Sequence, residues 1–368
     1  MIDNFDLKQL VIPLQIWFEG NARVLPWREN PTAYYVWVSE IMLQQTRVEA
    51  VKPYFDRFIK ELPDVKALAE CPDDKLLKLW EGLGYYNRVR NLKIAASQIM
   101  DEYGGVIPSE YEKLLGLKGI GHYTAGAICS IAYGKAVPAV DGNVLRVISR
   151  VTADDSDIML QSVKNHMEKA LFDTMNGVQE VKPSVFNQAL MELGATVCVP
   201  NGAPKCELCP WGEICEARIQ NRIVELPVKK KAKERRIEER TVLIIKDGEQ
   251  IALHKRPNKG LLAGLYELPS LDGHATEQEI LDYIKESGYQ PMRMQAVCDA
   301  KHIFSHVEWH MKGYVVWLEA LDYSNKENAN DWIFVDIEET KQKYAIPSAF
   351  AKYAKYLNLA IGKDAIEV

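Results

Sequence analysis

Four of the seven cysteines fall within one short stretch, CVPNGAPKCELCPWGEIC (198–215), and no other feature restricts the fold as strongly. The spacing is C-x7-C-x2-C-x5-C, from Cys198 through Cys206 and Cys209 to Cys215. Zinc sites usually bring two close pairs, and here only Cys206 and Cys209 form one. Four thiolates on one winding loop suit a [4Fe–4S] cluster, which takes one cysteine per iron. Zinc and a metal-free loop are the alternatives. Pro200, Gly202, Pro204 and Pro210 favour turns over helix along the stretch. Cys71, Cys129 and Cys298 stand alone, which argues against a secreted disulfide framework.

On either side of this loop the texture differs. Before it, apolar residues recur at three- and four-residue steps with Gly and Pro between segments: 40–62, 73–83, 91–104 and 111–117 read as helical. After it, ELPVKKKAKERRIEERT (225–241) carries seven Lys and Arg and reads as an exposed connector or a solvated charged face. Then TVLIIKDGEQIALHKR (241–256) reads as two strands around an Asp-Gly turn, and HMKGYVVWLEAL (310–321) as another strand. The expected organisation is multidomain: an all-α domain over 1–224, a linker over 225–240 and an α+β domain over 241–368. A chain of 368 residues with 47% hydrophobic content can fill two such cores. The net charge of −6 weighs against a nonspecific nucleic-acid coat, but not against a local basic face. MIDNFDLKQL has no apolar signal core, and YTAGAICSIAY is about half a membrane span. A soluble protein inside the cell, with no membrane partner, is expected.

The most informative helical stretch is LKGIGHYTAGAICSIAYG (117–134). Lys118, Gly119 and Gly121 sit between two helical segments. Glycines there allow positive φ and close backbone approach, so N–H groups opening the next helix can hold a phosphate. This is a helix-hairpin-helix pattern, and the alternative is an ordinary turn between helices. Twenty residues on, AVPAVDGNVLRVISR (136–150) places Asp141 before Gly142, Asn143 and a helix with Arg146 and Arg150. A carboxylate there is either an N-cap or a catalytic group beside the hairpin.

Together, the two glycines, Asp141 and the four-cysteine loop resemble the helix-hairpin-helix DNA glycosylase superfamily. LPWREN (25–30), YYVWVSEIMLQQT (34–46), LWEGLGYYNRVRNL (79–92) and FNQALMELGA (186–195) narrow the resemblance to adenine DNA glycosylases of the MutY type. The likeness runs from about residue 8 to 350. It implies an all-α helix-hairpin-helix domain with an iron–sulfur loop, then a Nudix-like domain. It implies that Glu40 is the general acid, which otherwise reads as a surface residue opening a helix. By the same resemblance Asp141 stabilises the sugar cation and Asn143 orients Asp141 or water. Superfamily members that cut the strand carry a lysine where this chain has Tyr123. A tyrosine cannot form an imine, so base removal alone is expected. Gln45 and Tyr85 match residues that enter or brace the base stack, and Arg28 and Gln188 match residues near the adenine pocket. Tyr85 as a core aromatic and Gln188 as a helix-surface residue remain alternatives.

The chain departs from the family in two places. The first cysteine gap is seven residues rather than the usual six. Lys118 replaces a proline often found in the hairpin.

RPNKGLLAGLYELPS (256–270) resembles the start of a Nudix domain, yet TEQEILDYIKESGY (276–289) lacks the R-E-x-x-E-E run that holds magnesium. The resemblance therefore implies lesion recognition and not pyrophosphate hydrolysis. Phe304, Ser305 and His306 carry it, with Ser305 facing N7–H or O8 of 8-oxoguanine. The expected function is monofunctional excision of adenine paired with 8-oxoguanine, or with G, in double-stranded DNA during base excision repair. The competing readings are a bifunctional glycosylase/lyase, a thymine-mismatch glycosylase and a catalytically silent iron–sulfur DNA-binding module. A monomer is expected, cytoplasmic and nucleoid-associated or otherwise intracellular, with replication or repair proteins as possible partners.

Overall fold

The helical run 40–62 is interrupted. Thr32 caps a helix over Ala33–Leu43 by accepting from the Tyr35 N–H. Gln45 then takes a left-handed φ of 59°, and a second helix runs over Val48–Glu61. Val51, Tyr54, Phe55 and Phe58 form the buried stripe of that second helix, at the spacing of an amphipathic helix. The computed structural model from which these elements are taken describes residues 5–230, 234–321 and 331–359. Residues 231–233, in the charged connector, lie outside the described residues.

The chain forms two compact units, and the division does not follow chain order. The first comprises Met1–Glu70 and Arg90–Ala232; the second comprises Cys71–Val89 and Lys233–Val368. The first is helical. Helices over Gly142–Val151, Gln161–Asn176 and Pro183–Thr196 share a core with Leu7, Leu10, Leu14 and Phe18. Trp211, from the cysteine loop, closes this core, and its Nε1 donates to the Leu10 carbonyl at 3.0 Å. The loop is thereby tied to the start of the chain. Every residue from Val144 to Val151 is buried, including Arg146 and Arg150. A charged side chain is tolerated there only with partners, and both guanidiniums have them.

The second unit is built on a seven-stranded sheet among the described residues. Its strands are β1 (Arg236–Asp247), β2 (Gln250–Lys255), β3 (Tyr266–Glu267), β4 (Ser270–Asp272), β5 (Pro291–Ile303), β6 (Val307–Leu318) and β7 (Trp332–Asp336). The order is β3-β2-β1-β6-β5, with β4 on β1 and β7 on β2. β1 pairs parallel with β6, and the other pairs are antiparallel. β1 begins at Arg236, inside the stretch read from sequence as a connector. The Asp-Gly turn forms as expected, with Asp247 opposite Gln250 and Gly248 at φ 55°. Thr241–Ile245 is buried without alternation because both faces of the sheet are covered. Val242 and Ile244 pack with Trp309, Phe350 and Tyr353 on one face; Leu243 and Ile245 pack with Ile280, Ile284 and Trp332 on the other. The helix Glu277–Glu286 opens with a capping box, in which Thr276 and Glu279 satisfy each other's ends.

Residues 71–89 belong to this second unit through specific bonds. Lys78, on the helix Asp73–Leu79, donates from Nζ to the Thr340 carbonyl at 3.0 Å and to the Tyr344 carbonyl at 3.2 Å. It also pairs with Glu81 at 2.5 Å, and Glu81 Oε1 accepts the Ile346 N–H at 2.8 Å. Trp80 is fully buried beside them in sequence.

Candidate active site

A cavity of about 560 Å³ opens in the helical unit, within the range of small-molecule sites. Glu40, Tyr123, Asp141, Asn143, Arg28, Gln45 and Gln188 all line it. Seven residues scattered from 28 to 188 are thus gathered around one space.

Glu40 sits one turn before the end of the helix Ala33–Leu43 and is 5% exposed. Burial pushes its carboxyl up to about 7. A hydrogen bond donated by the Tyr123 hydroxyl to Glu40 Oε2 opposes this, the nearby Asp141 charge adds to it, and Arg28 opposes it. Tyr123 opens the helix His122–Ala127, which follows the hairpin. Burial and the two carboxylates push its phenol well above the ordinary range, so it serves as a neutral donor. Its oxygen also lies 3.2 Å from Met191 Sδ.

Asp141 is the N-cap of Gly142–Val151. Its Oδ1 accepts from the Asn143 and Val144 N–H groups at 2.9 and 2.8 Å, and Oδ2 accepts from Asn143 Nδ2 at 2.7 Å. Burial outweighs the three donors and the Arg146 charge, and the carboxyl stands above its ordinary value. Every contact addresses the carboxylate form, and the helix N-terminus favours that form too. Asp141 is thus the cap, with Oδ1 fixed by it, and it also stands on the cavity wall. Asn143 is fixed in turn by Arg146, whose Nη2 donates to Asn143 Oδ1 at 2.9 Å and to the Gly194 carbonyl at 2.8 Å. Arg146 Nε reaches the Cys198 carbonyl at 2.9 Å. Bonded groups thus run from the cysteine loop to Asp141.

Arg23 and Glu192 also line the cavity, unforeseen from the sequence. Glu192 lies one helical turn after Gln188 on Pro183–Thr196, and its side chain is 1% exposed. It accepts Arg23 Nε at 2.5 Å, Arg23 Nη2 at 3.0 Å and Arg28 Nη2 at 2.9 Å. Burial raises the Glu192 carboxyl, but the two guanidiniums outweigh it and hold it below the ordinary range. The signal was present in FNQALMELGA, where an acid stands four residues from Gln188 on one helix face. Gln188 itself donates to Ser184, to its carbonyl at 3.3 Å and its hydroxyl at 3.1 Å.

In the hairpin, Gly119 takes φ 79°, and a Cβ there would stand 2.7 Å from Asn91 Cβ. Gly121 differs from the expectation. Its φ is −100° with ψ −178°, an extended N-cap, and no atom lies within 4 Å of where its Cβ would be. Its role is open space rather than a left-handed turn. The Lys118 N–H bonds Gln98 Oε1 at 2.8 Å.

Tyr85, Phe304, Ser305 and His306 lie in the other unit and do not line this cavity. Phe304 begins the turn between β5 and β6, its N–H on the Val307 carbonyl at 2.8 Å. Its ring packs edge-on against Trp309 at 4.8 Å. Ser305 and His306 are exposed, and the Ser305 hydroxyl donates to the Tyr85 hydroxyl at 3.3 Å. Tyr85 has φ 47° and an exposed ring, so it is no core aromatic.

Cys198, Cys206, Cys209 and Cys215 line a smaller cavity with Arg150 and Arg218. None is in a disulfide. Arg150 Nη1 lies 3.3 Å from Cys198 Sγ. Burial, reinforced by the neighbouring sulfurs, pushes the Cys206, Cys209 and Cys215 thiols up, Cys209 to about 12. Among the described residues, no three of His, Cys, Asp and Glu converge as on a single metal ion.

Residues 38–172 match the family described as HhH-GPD superfamily base excision DNA repair protein, and residues 240–356 match the NUDIX domain. The chain is 31% identical over 321 residues to an adenine DNA glycosylase of Buchnera aphidicola subsp. Baizongia pistaciae, covering 86% of this chain and 88% of the relative. It is 33% identical over 375 residues to the adenine DNA glycosylase of Mus musculus, covering 86% of this chain and 72% of the relative. This chain belongs to the adenine DNA glycosylases. Members of this family are base excision repair enzymes that bind DNA, and this chain carries a helical HhH-GPD region followed by a Nudix-like one. A thermostable thymine-DNA glycosylase is similar in structure, with TM-score 0.51 and 29% identity, covering 58% of this chain and 96% of that one. Among the described residues no helix is long and apolar enough to cross a membrane.

Proposed function

We propose that this chain removes adenine paired with 8-oxoguanine, and less efficiently adenine paired with guanine, leaving an abasic site in an uncut strand. The observation that carries the reading is the Glu40 carboxyl, pushed to about 7 in a cavity shared with Asp141. A carboxyl that keeps its proton near neutrality can give it to N7 of adenine, which makes the base a better leaving group. Departure of the base leaves positive charge on the sugar. The Asp141 carboxylate, fixed by three donors, stabilises that charge. Glu40, now ionised, accepts a proton from the attacking water. Arg28 and Gln188, on the cavity wall, would read the edge of the flipped base.

Two features favour hydrolysis over strand cleavage. Tyr123 occupies the position of the strand-cutting lysine and donates to Glu40. Among the described residues lining the cavity there is no lysine. Recognition of 8-oxoguanine is supported by Ser305, an exposed hydroxyl that can accept N7–H and that already meets Tyr85. Lys118, Gly119 and Gly121 would hold the DNA backbone.

The four cysteines would hold a [4Fe–4S] cluster. Their sulfurs line one cavity, and burial raises the Cys206, Cys209 and Cys215 thiols until a cationic partner offsets it. When bound, the cluster's contribution is to fix the loop whose Cys198 carbonyl anchors Arg146. Iron and acid-labile sulfide near about four of each per chain would check this. A monomer inside the cell is the expected working form, with replication or repair proteins as possible partners.

A labelled duplex tests the main reading. It carries A opposite 8-oxoguanine, with A:T, T:G and C:8-oxoguanine as controls, and half of each sample receives hot alkali. Breaks in A:8-oxoguanine after alkali alone are expected. Breaks before alkali would overturn the monofunctional reading, and specific binding without breaks would favour a silent DNA-binding module.

A further inference from the structure

Asn187 has no exposed surface, although Phe186, Ala189, Leu190 and Leu193, buried with it on the helix Pro183–Thr196, are all apolar. An amide in such a place is costly unless its donor and its acceptor are both bonded. Its partners lie on another part of the chain. Asn187 Oδ1 accepts the Ala139 N–H at 3.1 Å, and Nδ2 donates to the Val137 carbonyl at 2.8 Å. The side chain thus holds two backbone groups two residues apart, as a neighbouring strand would. The carbonyl between them, that of Pro138, goes to a different helix. A Cβ on Gly126 would stand 2.1 Å from the Pro138 oxygen, so the helix His122–Ala127, which carries Tyr123, meets this backbone directly. Two residues after Ala139 the same segment delivers Asp141. Beyond Asp141 the Asn187 helix makes a second contact. Gly194 stands seven residues on, two turns along the same face. A Cβ there would lie 2.7 Å from Asn143 Cβ, and the Gly194 carbonyl accepts Arg146 Nη2 at 2.8 Å.

We propose that Asn187 is a positioning residue for excision: it fixes the backbone that enters Asp141, Gly194 fixes the backbone that leaves it, and together they set where the Asp141 carboxylate stands relative to Glu40 and Tyr123. Asn187 does not line the cavity, so it acts only through Asp141. The proposal rests on the reading of Asp141 as the carboxylate that stabilises the sugar cation. The N-cap bonds hold Asp141 to the helix Gly142–Val151, but they do not decide where that helix begins. Asn187 does, by holding the segment that leads into it. Misplacing a reacting group by about 1 Å can cost roughly 10²-fold in rate, so such a hold has a catalytic consequence. The residue type follows from the partners. Aspartate has no donor for the Val137 carbonyl, glutamine is one methylene too long, and leucine leaves both backbone groups unbonded.

The test is a double-mutant cycle on the full chain, read by single-turnover excision from the A:8-oxoguanine duplex at saturating protein, with duplex affinity and a thermal melt measured beside it. Asn187→Ser is short enough to admit water between the side chain and the segment. In it the saturated rate is expected to fall about tenfold or more while duplex affinity is retained. A lower melt with an unchanged saturated rate would make Asn187 a packing residue and overturn the proposal. In the Asp141→Asn background, Asn187→Ser is expected to cost no further rate, because the group it positions has already lost its charge. Losses that multiply would show that Asn187 does not act through Asp141, and would also overturn it. Full activity of Asp141→Asn alone would sink the reading of Asp141; it appears without any change at 187, so the two failures are told apart. Hydrogen exchange in the unsubstituted protein gives a reading that does not depend on a variant folding. The Ala139 amide, bonded to Asn187, is expected to be protected as strongly as the core amides of the helix Gly142–Val151. Exchange at the rate of an open loop would overturn the hold itself.

Discussion

A glutamic acid that titrates near neutrality leaves a trace in stability as well as in rate. The folded protein holds the Glu40 proton up to about 7, whereas the unfolded chain releases it near the ordinary value of 4.5. Between those values the folded state binds more protons than the unfolded state, so stability falls as pH rises through the window. It levels off above it. The whole effect is about 3 kcal/mol at most. Glu40→Gln should lack this slope: its urea midpoint, relative to the unsubstituted protein, should rise from pH 4.5 to 8. It should also abolish excision while lesion binding persists. A parallel pair of stability curves would mean that Glu40 ionises in the folded protein as it does in the unfolded chain. The residue could be nominated from VSEIMLQQT by resemblance, but its burial could not. Nothing in that motif says that the cavity wall will include Tyr123 and Asp141, which arrive from 83 and roughly 100 positions away. Glu192 escaped for the same reason, since its partners Arg23 and Arg28 are 169 and 164 positions away.

At the scale of elements, two substitutions of the same kind should fail differently. Gly119→Ala places a side chain at φ 79° and against Asn91, so it should cost about 1–2 kcal/mol of stability and weaken DNA binding with it. Gly121→Ala meets no atom within 4 Å and has an extended backbone, so stability should hold. Its methyl stands where a phosphate would approach the helix start, and affinity for duplex DNA should fall. Thermal melts and DNA titrations of both variants decide this; equal loss of stability would refute the distinction. The helix Gly142–Val151 offers a second contrast. Asp141→Ala loses the cap, at about 1 kcal/mol, and the charge. Asp141→Asn can still cap but is neutral. Both should lose excision by roughly 10²-fold or more, and only the alanine variant should melt lower. Retained activity in Asp141→Asn would leave Asp141 as a cap alone. Helices, hairpin and strands were largely legible here, because each is written in local periodicity and in Gly and Pro punctuation. What local signals did not show was the left-handed break at Gln45 and the inward packing of Phe304, both settled by tertiary contacts.

At the scale of the molecule, the change of texture after the cysteine loop marks a real change of architecture, from helices to a sheet. The allocation of residues 71–89 was not visible. DDKLLKLWEGL looks like any amphipathic helix, and periodicity says which face is buried but not against what. Its polar partners fix the answer: Lys78 on Thr340 and Tyr344, and Glu81 on Ile346. A chain ending at residue 230 would therefore strand Leu76, Leu77 and Trp80 without part of their cover and leave Glu81 without its Ile346 partner. Limited proteolysis of that truncated chain should cut first within 71–89. Resistance there equal to that of the full chain would show that the segment folds without the sheet.

The bond between Glu81 and Ile346 joins residues 265 positions apart. On a ribosome adding about 5–20 residues per second, Glu81 and its neighbours are joined to the chain roughly 13 to 53 s before Ile346. During that interval the nascent chain carries an apolar segment whose permanent seat does not yet exist. The synthesis of this enzyme therefore contains a waiting period, and a chaperone that shields 71–89 would have its work concentrated in that window.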